Sequence, residues 1–131
     1  MGFGETTNSE VERIATAIVD SAFKVHSILG PGLLESTYAI CLAHELRLRG
    51  FRVDREVPVP IHYEGIQLEC GFRLDLIVND LVIVELKAVE KMNPLYVAQV
   101  ITYLKLTNKR LGILINFNVP LIKNGIKRVV L

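Results

Sequence analysis

Residues Leu81 to Leu86, LVIVEL, form a short apolar run with no alternation of polar residues, and they read as a strand buried on both faces. Such a strand exists only inside a sheet that is covered on both sides, so the remaining residues must supply the covering helices. Helical periodicity is present in three places. Ser9 and Glu12 form a capping box, after which Val11, Ala15, Ile18, Ala22, Val25 and Leu29 recur at alternating four- and three-residue steps. Gly30-Pro31-Gly32 ends that helix, because proline cannot continue the hydrogen bonding and glycine permits a sharp change of direction. A second helix is expected from Leu33 to Arg49, with Gly50 just past its end. Asn93-Pro94, an N-cap followed by proline at the first helical position, opens a third helix with the seam Val97, Val100, Ile101 and Leu104, ending near Asn108.

Strand signals fill the gaps. Val53, Arg55, Val57, Val59, Ile61 and Tyr63 alternate at period two, with Pro58 and Pro60 marking an edge strand, and Glu64-Gly65 reads as the hairpin turn. Residues 66 to 78 alternate again through Ile66, Leu68, Cys70, Phe72 and Leu74. Leu111 to Asn116 is another apolar strand, and Ile126 to Leu131 a last one after the turn at Asn124-Gly125. The order α-α-β-β-β-α-β-β describes an α/β fold, a mixed sheet flanked by helices. A chain of 131 residues fits one domain, here residues 9–131 behind a flexible tail of residues 1–8.

Several function classes drop out early. The longest apolar runs are too short to cross a bilayer, and Met1 to Thr6 lacks the basic start and apolar stretch of a secretory signal, which points to a cytoplasmic protein. Gly2 and Thr6 fit the loose N-myristoylation pattern, against which stands the simpler reading of a tail. Cys41 and Cys70 have neither the number nor the spacing of a disulfide framework or zinc site, and read as buried thiols. His26, His44 and His62 fall on separate elements and are assigned no role, and no Ser-His-Asp order, phosphate-binding glycine loop or CxxC pair is present.

The net charge of +1 conceals an uneven distribution. All fourteen acidic residues lie at or before Glu90, whereas Lys91, Lys105, Lys109, Arg110, Lys123, Lys127 and Arg128 follow with no carboxylate among them. The C-terminal third can therefore face a polyanion, or be a solvated face that balances the acidic part.

Glu85 and Lys87 break the apolar strand and, at i and i+2, project from the same face. Charges in a buried strand persist when paired, metal-bound or both. An ion pair on an edge strand would explain them, but a third charge, Asp75, interrupts the preceding strand. A two-residue loop at Asn79-Asp80 would set Asp75 opposite Val84, on the wrong face. A three-residue loop over Asn79 to Leu81, or a bulge in the second strand, sets Asp75 opposite Glu85. Two carboxylates at one point suit a hard cation such as Mg²⁺ or Mn²⁺, and a lysine beside them can orient or deprotonate a water, a combination that hydrolyses phosphodiesters.

Asp75 followed by Glu85-Leu86-Lys87 resembles the D…(D/E)-x-K core of the PD-(D/E)XK nuclease superfamily, and Gly32-Leu33-Leu34-Glu35-Ser36-Thr37-Tyr38 resembles the motif that names the GxxExxY family within it. The resemblance runs from about Val11 to the C-terminus. It implies a restriction-endonuclease-like core and a Mg²⁺- or Mn²⁺-dependent nuclease acting on nucleic acid, DNA ahead of RNA. It further implies that Asp75 and Glu85 are metal ligands, with the Leu86 carbonyl as another, and that Lys87 serves the water. Glu35, in the first turn of the second helix, is either a further metal ligand and catalytic residue or a partner of the helix dipole. Tyr38, one turn on, shares its face, and is expected on the substrate side in support of the site. Gln99 and Tyr103, at i and i+4 on the third helix, resemble the QxxxY motif that holds a nucleic-acid backbone, with ordinary helix-surface chemistry as the other reading. The rival functions are a nucleic-acid-binding module that keeps the fold without cutting, and an interaction protein whose strand charges form only a salt bridge. So small a domain offers little surface for DNA, which leaves a homodimer open.

Overall fold

The computed structural model describes residues 2–69 and 72–131, the first six as backbone only. The expected buried thiol of Cys70 lies outside the described residues, as do the side chains of Gly2 and Thr6. Three helices, α1 (Gly2–Leu29), α2 (Glu35–Leu48) and α3 (Pro94–Thr107), enclose a five-stranded sheet. Its strands are β1 (Val53–Pro58), β4 (Arg73–Val78), β5 (Val82–Lys87), β6 (Leu111–Asn116) and β7 (Ile126–Val130), in that spatial order. Only β5 and β6 run parallel, joined by the α3 crossover, so the sheet is mixed as the periodicities predict.

Two layers of core sit on the sheet. On one face Ile14 and Ile18 of α1 and Tyr38, Leu42 and Leu46 of α2 pack on Leu76, Val84, Leu86, Ile113 and Ile115. On the other, Val100, Tyr103 and Leu104 of α3 pack on Ile77, Ile83 and Leu114. Gly112 lets α3 approach closely, since a Cβ there would come within 2.6 Å of Val100 Cγ1. Burial of β5 and β6 on both faces explains their apolar runs, that of β5 extending as far as Val84 before Glu85 interrupts it.

Four details depart from the sequence reading. The helix α1 begins upstream of Ser9, which therefore stands inside it and not at its N-cap; no proline precedes Ser9 to stop the helix. The two long strands expected over 53–63 and 66–78 are each divided. Pro58 and Pro60 lack the N–H groups that would continue the ladder, so β2 (Ile61–Tyr63) and β3 (Ile66–Leu68) form a separate two-stranded hairpin. Cys41 is half-buried, not buried. The basic residues after Glu90 do not share one face. Arg128 pairs with Glu12 of α1, and Lys109 with Asp80 at the far end of the sheet, whereas Lys127 lines a cavity with Met92, Asn93 and Pro94 at the start of α3. Alternation along β7 sends Lys127 and Arg128 to opposite sides.

Other expectations hold in detail. Glu64 and Gly65, both at positive φ, make the two-residue turn between Tyr63 and Ile66. Asn93 caps α3 by accepting from the Leu95 N–H at 2.9 Å, and β1 is an edge strand. Among the described residues, no helix is long and apolar enough to cross a membrane.

Candidate active site

The loop between β4 and β5 decides whether a site exists at all. Asn79 and Asp80 adopt left-handed backbone (φ 50° and 55°), which these two residue types tolerate, and Leu81 N–H closes the turn on the Val78 carbonyl at 3.0 Å. Val78 then pairs with Val82, Ile77 with Ile83 and Leu76 with Val84, which is the three-residue loop. Continued by one pair, this register sets Asp75 opposite Glu85.

At that point the side chains take over from the ladder. The backbone N–H of Asp75 donates to Glu85 Oε1 at 3.0 Å, and the backbone N–H of Leu86 donates to Asp75 Oδ2 at 2.8 Å. Each carboxylate is thus fixed by the opposite strand. A second irregularity lies on β1, where Glu56, opposite Asp75 by register, has a left-handed φ of 51°. Around it the strands exchange faces: Val53, Leu76 and Val78 pack with α1 and α2, whereas Val57 and Leu74 pack with α3. Asp75 stands where the faces change, and that is why it interacts with groups from both layers.

Glu35 reaches the same region from the first turn of α2, half-buried. Burial raises its pKa, the Asp75 charge raises it further, and Lys87 opposes both. Burial likewise raises Asp75, against the lowering effect of the Leu86 N–H and Lys87. Glu85, only 5% exposed, is pushed up to about 8 by burial and then by the Asp75 charge. Lys87 places its ammonium over the Tyr96 ring, 4.3 Å from the centroid. Tyr103 lies under the site, 5% exposed and edge-on to Phe72, and its pKa is raised by burial and then by Glu85 and Asp75. Gln99 is half-buried, and at three residues from Tyr96 and four from Tyr103 it belongs to the same face of α3.

Tyr38 is placed differently from the expectation. It is fully buried, stacked on Phe117 with 4.4 Å between ring centroids, and its hydroxyl donates to the Gly30 carbonyl at 2.6 Å and accepts from the Leu33 N–H at 3.1 Å. Its hydroxyl ties down the Gly30-Pro31-Gly32 turn and thereby the start of α2 and Glu35. An aromatic at i+3 from Glu35 shares its general face, but the core on that face outcompetes solvent for the ring.

Three residues with a bearing on the site escape a reading of the sequence. Tyr96 stands off the apolar seam by which α3 is recognised, although its spacing to Gln99 and Tyr103 could have shown it. Asn116, buried at the end of β6, accepts from the N–H groups of Val89 and Asn118 and donates to the Val89 carbonyl, pinning the segment that follows Lys87. A polar residue ending a wholly apolar strand was the signal. The third, Arg55, carries no such signal beyond its inward place in the period-two pattern.

The donor chemistry fits a hard divalent cation. Asp75 and Glu85 offer only oxygens, are fixed by backbone N–H groups, and are disfavoured as a pair of anions by burial and mutual repulsion, which a cation between them would reverse. The cluster is not closed as it stands: among the described residues, no group of three or more His, Cys, Asp or Glu side chains is positioned to hold a metal ion. A model of the PD-(D/E)XK nuclease superfamily matches residues 12–129. Neither a curated protein nor a solved structure matches the chain.

Proposed function

Since the chain belongs to the PD-(D/E)XK nuclease superfamily, we propose that it is a divalent-metal-dependent hydrolase that cuts phosphodiester bonds in nucleic acid, DNA in preference to RNA, in the manner of the GxxExxY family. The observation that carries the reading is the exchange of carboxylates between β4 and β5, Glu85 on the Asp75 N–H and Asp75 on the Leu86 N–H, with Lys87 on the same face.

In this reading Asp75 and Glu85 hold Mg²⁺ or Mn²⁺, with Glu35 and the Leu86 carbonyl as further oxygen donors. When bound, the cation polarises the scissile phosphate, lowers the pKa of the attacking water and neutralises charge on the leaving oxygen. Lys87, held over Tyr96, orients that water by hydrogen bonding and sets a positive charge beside the reacting phosphate. Gln99 and Tyr103, on the face of α3 that overlooks the carboxylates, hold the strand. Tyr38 and Asn116 position the two segments that carry Glu35 and Lys87, without touching substrate.

The test is a cleavage panel of single- and double-stranded DNA and RNA with Mg²⁺ or Mn²⁺, with Asp75→Asn as control. Metal-dependent cleavage lost in the variant supports the reading. Salt-dependent binding without cleavage selects the inactive binding module, and neither binding nor cleavage selects the interaction protein.

A further inference from the structure

A cavity of about 290 Å³ opens beside Asp75, lined by Glu35, Ser36, Ala39, Arg55, Glu56 and Asp75. That is at the lower end of the range of roughly 300–1,000 Å³ usual for small-ligand sites, the size of one nucleotide-scale group and no more. Arg55 is its one cationic lining residue among the described residues.

The position of Arg55 is unusual. In β1 the alternate residues Val53, Arg55 and Val57 turn inward while Asp54, Glu56 and Pro58 are exposed. A guanidinium at an inward place loses hydration, which an internal partner normally replaces. Here the Nε–H is buried and has no hydrogen-bond partner. Three carboxylates share the cavity, yet no ion pair between Arg55 and a carboxylate is present among the described residues. The guanidinium therefore sets its donors beside the candidate metal ligands, and its buried Nε–H lacks an acceptor. Glu35, Glu56 and Asp75 would repel an anion in this cavity unless a metal offset them, so an anionic ligand would enter it together with the metal.

Building on the nuclease reading, we propose that Arg55 binds a non-bridging oxygen of a substrate phosphate, and that the cavity it shares with Asp75 receives that phosphate. The planar fork suits two phosphate oxygens at once, which a lysine cannot match. Arg55 would then grip the strand from the α2 side while Lys87 acts from the α3 side.

The test pairs cleavage kinetics with binding. Affinity for a fluorescein-labelled oligonucleotide is measured against salt with Mg²⁺ in a Lys87→Ala background, where the strand persists, and KM and kcat are measured with Lys87 intact. Arg55→Gln should weaken binding by about 10- to 100-fold, the usual effect of losing a charge-assisted hydrogen bond. It should also flatten the slope of log affinity against log salt by about 0.7 to 0.9, and raise KM more than it lowers kcat. Arg55→Lys should keep the slope and recover part of the affinity. Arg55→Met, which preserves the buried stem, provides the same readout should the glutamine variant fold poorly. Cleavage by the native chain, with affinity and salt slope unchanged in Arg55→Gln or Arg55→Met, overturns the phosphate role and leaves the nuclease reading standing. A native chain that neither binds nor cuts any nucleic acid overturns both.

Discussion

Glu85 accepts a hydrogen bond at 3.0 Å from the backbone N–H of Asp75, the residue whose own carboxylate most strongly opposes its ionisation among the neighbouring charges. The contact that orients Glu85 and the charge that raises its pKa thus come from one residue. Glu85 is anionic at neutral pH only at a cost in stability, unless a cation joins the pair.

Asp75→Asn removes one charge and keeps a side-chain oxygen to accept from the Leu86 N–H. Without metal its melting temperature should exceed that of the native chain. On adding Mg²⁺ the native protein should gain stability, about 2.7 kcal/mol at a hundredfold excess over Kd, and the variant should not. Equal metal responses in thermal melting would show that Asp75 is no ligand.

The raised pKa of Glu85 makes metal-free stability depend on pH. The unfolded carboxyl titrates near 4.5 and the folded one near 8, so below pH 4.5 both states are protonated and the folded protein bears no penalty. Between pH 4.5 and 8 the unfolded chain releases its proton first, so stability falls as pH rises, by an amount on the order of a few kcal/mol. Denaturant melts at several pH values in chelator should show this decline, and Glu85→Gln or added Mg²⁺ should flatten it. A stability that rises over that interval would refute the burial argument.

Lys87→Ala should slow hydrolysis by about 10² to 10⁴ with nucleic-acid affinity nearly intact, the usual loss of a positioned acid-base group. Tyr96→Phe keeps the ring beneath the ammonium and should retain most activity, whereas Tyr96→Leu should lose part of what Lys87→Ala loses. If single-turnover rates of the two Tyr96 variants coincide, the ring does not position Lys87.

Neutralising Lys123 and Lys127 should weaken binding across sequences, with little change in turnover at saturation. The salt slope should fall by about 0.7 to 0.9 for each phosphate that the variant no longer neutralises. Arg128→Gln should leave the slope unchanged, because its guanidinium is paired with Glu12 on the other side of the sheet. A slope altered only by Arg128→Gln would invert this assignment.

Local order is legible in the sequence itself. Capping at Asn93, the turn at Glu64-Gly65 and the doubly buried β5 follow from residue preferences that act over a few positions. So did the condition that the loop before β5 must be odd, since strand parity admits only two outcomes and Asp75 and Glu85 need one of them. What parity could not decide was which outcome the chain adopts; the left-handed backbone at Asn79 and Asp80 decides that, with Arg52 and Asn79 bridging strand ends distant in sequence. Nor did periodicity show that β1 and β4 exchange faces at Glu56 and Asp75, or that Tyr38 turns into the core. Spacing along a chain determines which face of an element a side chain occupies. Which other side chains meet it there depends on strand order and on competition for buried volume, which only the packed tertiary structure settles.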